Sequence, residues 1–211
     1  GACDDLGLAR SPAELLGVAA AAFGQAGPPS EGEDDAMSED NLGLHGVFHP
    51  VELQRRSTFG RWFVDRGLLA QLLRELLASS PPTAVPGDLP QVLDLGAGAG
   101  GYSEFLNDTG LVASRAFDAT VGVERLTGGR VRHLDLSAPL PPMAPADLVL
   151  CLEVAEHIPA ASTERFVENL GALAREAVVV SWAGPEKCGR GWGHVNCMAE
   201  PEVLAVFARV A

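Results

Sequence analysis

Residues 90–106, PQVLDLGAGAGGYSEFL, constrain the fold of this chain more than any other stretch. Val92, Leu93 and Leu95 form a short apolar run, the pattern of a strand buried on both faces. Asp94 interrupts that run near its end, where its carboxylate is expected to emerge at the strand's carboxyl edge. Gly96, Gly98, Gly100 and Gly101 follow within six residues. Without Cβ atoms they tolerate positive φ and let another molecule approach the backbone. Residues 102–106 read as the opening turns of a helix. Strand, glycine turn and helix together aim backbone N–H groups at a nucleotide-like ligand.

The glycines fit two patterns. Gly96, Gly98 and Gly101 satisfy G-x-G-x-x-G, which points to a dinucleotide. Asp94, Gly96, Gly98 and Gly100 satisfy D-x-G-x-G-x-G.

Around this unit the chain alternates strands and helices. A helix over 59–78 carries Phe59, Phe63, Leu68, Leu69, Leu72, Leu73, Leu76 and Leu77 at helical spacing, and Ser79, Ser80, Pro81 and Pro82 end it. Strands are expected over 111–117, 130–134, 147–152 and 177–182, and helices over 162–175 and 201–210. Alternation of this kind implies an α/β, Rossmann-like, mostly parallel sheet with helices on both faces. Only one helix follows the fifth strand, so the C-terminal strands of the full architecture are expected to be missing. The sheet edge left there would be covered by a partner subunit, making a homo-oligomer, or by the N-terminal segment. Three regions are expected: an N-terminal helix beginning at Ser11 with an acidic flexible segment over 1–41, a cap and helix over 42–88, and a ligand-binding domain over 89–211.

Ligands of such sheets sit beyond the carboxyl ends of the strands. Asp94, Asp118, Asp135, Glu153 and the loop after Trp182 all fall at that edge. Asp118 closes the second strand, where a carboxylate can accept from both hydroxyls of a ribose. Glu124, after Val121, Gly122 and Val123, is its competitor, but a strand there leaves too few residues for a crossover before Arg130. Residues 184–196 form a long glycine-rich loop containing Trp192 and His194, read as a substrate lid. Trp182 and Trp192 are expected to stack on a substrate or pack against the last helix. His45 and His49, in the cap, are further contact candidates.

Net charge is −13. That disfavours nucleic acid, whose binding needs Lys and Arg to displace counterions. No stretch approaches eighteen uninterrupted apolar residues, so no membrane span is expected. Residues 15–23 lack the basic flank of a signal peptide. The four cysteines are scattered and do not read as a disulfide framework, which favours a reducing cytoplasm.

The D-x-G-x-G-x-G form resembles motif I of the class I S-adenosylmethionine-dependent methyltransferases. Residues 150–159, LCLEVAEHIP, resemble motif IV of that class, in the EVxEH form of ubiquinone-biosynthesis O-methyltransferases and many small-molecule methyltransferases. The resemblance spans residues 90–182, nearly half of the chain. It implies an enzyme using S-adenosyl-L-methionine on a small-molecule acceptor, probed most naturally at oxygen. Asp94, Gly96, Ala97, Gly98 and Gly100 would line the methionine part. Asp118 would hold the ribose, Asp135 and Leu136 would flank the adenine, and Glu153 would sit beside the methyl-transfer centre. Glu153, Glu156 and His157 follow i, i+3, i+4 spacing, which shares one face if the strand runs straight into a helical turn. Two carboxylates and an imidazole can hold a divalent metal such as Mg²⁺. In ubiquinone-type enzymes and small-RNA 2′-O-methyltransferases that pattern accompanies such a metal, and the latter add a later histidine, here His194. Glu153, His157 and His194 are thus the catalytic candidates, and Glu153, Glu156, His157 and His194 the metal candidates. The alternatives are a degenerate methyltransferase fold serving as a scaffold and an NAD-dependent oxidoreductase.

Overall fold

The computed structural model describes residues 50, 64–79, 89–189 and 193–210. The expected N-terminal helix, the acidic segment, His45, His49 and Trp192 lie outside the described residues.

Helix α1 (Arg66–Ser79) starts later than the apolar periodicity from Phe59 suggests. Asp65 is the cause. Its Oδ1 accepts the Leu68 N–H at 2.9 Å and its carbonyl accepts the Leu69 N–H, which makes it the N-cap. Five strands follow: β1 (Gln91–Leu95), β2 (Ala113–Asp118), β3 (Val131–His133), β4 (Ala146–Cys151) and β5 (Ala174–Val180). Between and after them run α2 (Gly101–Asp108), the single turn α3 (Val123–Leu126), α4 (Thr163–Leu173) and α5 (Glu200–Val210). Val123 and Glu124, part of the 121–124 stretch weighed above as a strand, are therefore helical. β5 begins three residues earlier than the strand expected over 177–182 because Ala174 turns straight from α4 into extended backbone.

All strand pairs are parallel, in the order β3-β2-β1-β4-β5. Side chains alternate between two faces as the pleat requires. Val92, Leu148, Leu150 and Val179 meet α1 and α2 on one face. Leu93, Leu95, Val149, Cys151, Val178 and Val180 meet α4 and α5 on the other, around Phe166 and Phe207. Among the described residues no helix is long and apolar enough to cross a membrane.

Gly100 fixes how the glycine turn enters α2. It is that helix's N-cap at φ 87°, and a Cβ there would lie 2.8 Å from Cγ2 of Val131 on β3. Gly100→Ala therefore combines left-handed strain with overpacking. We expect a loss of about 2–4 kcal/mol in urea unfolding. Adding Val131→Ala should recover about 1 kcal/mol relative to the sum of the single changes. Additive costs would show that the contact is not the cause.

Candidate active site

Strand order reverses at β1, with β2 on one side and β4 on the other. The loops after β1, β2 and β4 therefore diverge from one point, and the glycine turn lies there. Its amides are mostly engaged within the protein. Gly96 and Ala97 donate to the Phe117 carbonyl, Gly100 to the Ala97 carbonyl, and Gly98 to Asp118 Oδ2 at 2.9 Å. The expectation of a row of free N–H groups is thus corrected: β2 supplies acceptors for them. Asp118, half-buried, also takes the Thr120 N–H on its other oxygen at 2.8 Å. One carboxylate sets the position of both loops. The Ala97 methyl packs against Ala116, Val123 and Val131.

Asp94 is not at the rim. Its side chain points into the α1/α2 face, is only 5% exposed, and accepts the Ser103 N–H in the first turn of α2 at 3.2 Å. Burial raises its pKa to about 7, with the Asp118 charge adding and Ser103 opposing. Gly96 lies against the loop after β4. At φ 78°, any Cβ there would run into the Val154 side chain.

That second loop does not continue β4 as a helical turn. Glu153 has φ 58°, the one positive value at a non-glycine among the described residues. Ser181, just beyond β5, holds it so. The Glu153 N–H donates to Ser181 Oγ at 2.6 Å, and that hydroxyl donates to Glu153 Oε1 at 2.8 Å. Only then does a 3₁₀ turn, Ala155–His157, begin. The three-on-one-face expectation is corrected accordingly. Glu153 is exposed, whereas Glu156 and His157 turn inward.

Glu156 is fully buried, and neither carboxylate oxygen has a hydrogen-bond partner. Burial raises its pKa to about 7; its own backbone amide, Lys187 and the Ala183 amide oppose the shift, and the Glu153 charge adds to it. Two imidazoles adjoin it. His194 Nε2 is 3.9 Å from Glu156 Oε1, too far for a hydrogen bond, and its buried Nδ1 has no partner. Burial also lowers the His194 pKa, against the pull of Glu153, so the ring is neutral at pH 7. His157 stands edge-on to His194, with ring centroids 5.1 Å apart. Its Nδ1 lies 2.9 Å from the Gly193 carbonyl. A carbonyl only accepts, so Nδ1 carries a proton. One ligand atom from each of Glu156, His157 and His194 falls within 4.8 Å of the others. Glu153, expected among the metal ligands, is not in this group because its backbone turns away and Ser181 engages its carboxylate.

The loop after β5 is anchored rather than open. Val195 and Asn196 donate to the Glu156 carbonyl, Met198 to the Ala183 carbonyl, and Asn196 Nδ2 to Thr163 Oγ1. Cys188 and Cys197 form a disulfide with Cα atoms 5.7 Å apart, which corrects the reading of scattered thiols. Trp182 packs edge-on against Phe166 and donates from Nε1 to the Asn196 carbonyl, so it belongs to the core and not to a substrate surface. Asp135 accepts the Ser137 N–H and hydroxyl on one oxygen, the geometry of a loop cap. The Leu136 side chain is 5% exposed within the core, and its carbonyl accepts from Asn169. Two contributors went unread in the sequence. Ser181 follows an apolar strand at the same edge where Asp118 closes β2, a signal that could have found it. The Gly193 carbonyl carries no signal of its own.

No protein-family model matches the chain, and neither does any curated protein. Several solved structures do. A TehB-like SAM-dependent methyltransferase from Corynebacterium glutamicum is 20% identical with a TM-score of 0.51, over 76% of this chain and 83% of that one. Magnesium protoporphyrin IX methyltransferase (ChlM) from Synechocystis PCC 6803, with bound SAH, is 19% identical with a TM-score of 0.50, over 72% and 80%. CalS10, an amino pentose methyltransferase from Micromonospora echinaspora, is 19% identical with a TM-score of 0.49; this chain spans 57% of its length. The first two likenesses establish a Rossmann-like fold shared with these methyltransferases.

The two buried carboxyls set a pH dependence. Folded Asp94 and Glu156 keep their protons to about pH 7, whereas unfolded carboxyls release theirs near about pH 4. Between those values the folded state binds more protons, so stability falls as pH rises from about 4 to about 7 and then levels. The loss is on the order of 3 kcal/mol per carboxyl. Urea unfolding from pH 5 to 8, with a chelator present, should show it, and Asp94→Asn should flatten the slope. Stability that rises over this range would contradict these environments.

Proposed function

We propose that the chain is an S-adenosyl-L-methionine-dependent methyltransferase acting on a hydroxyl of a small-molecule acceptor, with a divalent cation such as Mg²⁺ held by Glu156, His157 and His194. The observation that carries this reading is the buried Glu156 carboxylate, lacking any hydrogen bond and flanked by two imidazoles, beside the glycine turn. Such a carboxylate is costly to keep in a fold unless something binds it. A scaffold would gain nothing from it.

The glycine turn supports the cofactor. A dinucleotide's pyrophosphate needs unengaged amides, and here Gly96, Ala97, Gly98 and Gly100 have given theirs to protein acceptors. S-adenosylmethionine carries no phosphate. It needs close backbone approach and a carboxylate for the ribose, and Asp118 keeps lone pairs for that after accepting Gly98 and Thr120.

When bound, S-adenosylmethionine supplies an electrophilic methyl group on a sulfonium. When bound, the cation would acidify and orient an acceptor hydroxyl. The residues of the chain do the rest. The engaged amides hold the glycine turn rigid. Asp118 would hold the cofactor's ribose. Neutral His194 offers a lone pair as ligand or as base for the hydroxyl proton. The Gly193 carbonyl holds the His157 ring in place through Nδ1. Glu153, clamped by Ser181, would supply a carboxylate toward the sulfonium. Positioning of this kind supplies most of the acceleration expected of an in-line methyl transfer.

Calorimetric titration with S-adenosylmethionine, S-adenosylhomocysteine and NAD⁺, with and without Mg²⁺, tests the reading. The first two should bind in the micromolar range and NAD⁺ should not. Asp118→Ala should weaken binding at least about tenfold through the lost charged hydrogen bonds. Glu156→Gln should leave cofactor binding intact and abolish binding of the cation. Failure of the folded protein to bind either sulfur compound would favour the scaffold.

A further inference from the structure

The disulfide encloses one of the cluster's own residues. Cys188 and Cys197 are nine residues apart, and Gly193 and His194 lie between them. These two make the contacts that complete the cluster: His194 faces Glu156, and the Gly193 carbonyl holds the His157 ring through Nδ1. The C-terminal side of the loop has anchors besides the disulfide, beginning with the Val195 and Asn196 N–H groups on the Glu156 carbonyl. Asn196 reaches Thr163, Trp182 reaches Asn196, and Met198 closes onto Ala183. The N-terminal side is different. Residues 185–189 are exposed, in a single 3₁₀ turn over Pro185–Lys187 whose amide bonds are internal. The bond to Cys197 joins that side to the anchored one. Cys188 is itself exposed, and exposed disulfides are the ones that reductants reach. The described free cysteine, Cys151, is buried and takes no part.

We propose that the Cys188–Cys197 disulfide is a redox latch on this site: formed, it holds Gly193 and His194 against His157 and Glu156; reduced, it releases them. The cation-binding consequence rests on the reading given under Proposed function, whereas the release of the loop does not. The reductant is a dithiol. One of its thiolates attacks Cys188 Sγ, breaking the S–S bond and expelling Cys197 as a thiolate, which takes a proton. The second thiol attacks the mixed disulfide, frees Cys188, and leaves as the oxidised, cyclic disulfide. Two electrons and two protons reach the protein.

The test compares the full chain oxidised, reduced with dithiothreitol, and as Cys188→Ser and Cys197→Ser. Alkylation and mass mapping should find the Cys188–Cys197 bond in the oxidised protein; its absence would overturn the proposal. Amide exchange should then accelerate about tenfold or more at Val195 in the reduced protein and both variants, with Met198 unchanged as internal reference. Mn²⁺ should bind about tenfold more weakly in those three forms, the usual scale for losing an orienting partner. S-adenosylmethionine affinity should not move. Faster Val195 exchange with no Mn²⁺ binding in any form would keep the latch and remove the cation reading. Equal Val195 exchange in all forms, or equal Mn²⁺ affinity where Mn²⁺ binds, would overturn the latch.

Discussion

The crossover from β3, at one edge of the sheet, back to β4 beside β1 is what the rest of the structure depends on. Parallel strands joined by right-handed crossovers must put successive helices on opposite faces when the direction of winding reverses. Here α1 and α2 cover one face, and α4 and α5 the other. At the reversal the loops after β1 and β4 separate and leave a crevice. Gly96 lets the two loops approach closely, since any Cβ there would meet the Val154 side chain. Every residue invoked for chemistry lies on a loop that begins at this crevice or is tied to it.

The crevice is maintained at a cost in stability. Asp94 and Glu156 are carboxyls held away from water, and Glu153 adopts a backbone conformation that side-chain-bearing residues avoid. The offsets differ. Asp94 has the first turn of α2, whose amide and dipole favour the charge. Glu153 has both bonds to Ser181. Glu156 has no hydrogen bond to its carboxylate, and its carbonyl instead carries the loop bearing His194. One residue therefore presents a carboxylate with unmet demand and also fastens the segment that supplies its neighbour. That double use explains why the loop after β5 is anchored at Val195 and Asn196 rather than standing open as a lid.

The legibility of the site varied with how local its causes were. The glycine turn, Asp118 and the EVAEH segment could be placed at the carboxyl edge because each follows directly on an apolar strand. Asp118 prevailed over Glu124 by the length of chain needed for a crossover, and the single helical turn at Val123–Leu126 agrees with that arithmetic. Spacing misled where one backbone angle intervened. The i, i+3, i+4 argument for Glu153, Glu156 and His157 assumes continuous helix, and φ 58° at Glu153 breaks it. It also misled at Asp94, since alternation along a strand assigns a face but does not reveal that α2 seals that face.

The sequence by itself determined the elements and their order: apolar runs of strand length, helical periodicity and turn residues act over a few neighbours, so they survive without knowledge of the rest. It also determined that acidic residues would gather at one edge, because strand ends in a parallel sheet share that edge. Tertiary structure alone decided which acids are accessible, which amides remain unengaged, and which side chains meet. Phe117 and Asp118 reach the glycine turn from about twenty residues away, Ser181 reaches Glu153 from 28, and Gly193 reaches His157 from 36. The Cys188–Cys197 bond belongs with them, since two cysteines in a chain name a pair only when the backbone brings their Cα atoms to 5.7 Å. Such contacts depend on the relative placement of separate strands and loops, which no local pattern encodes.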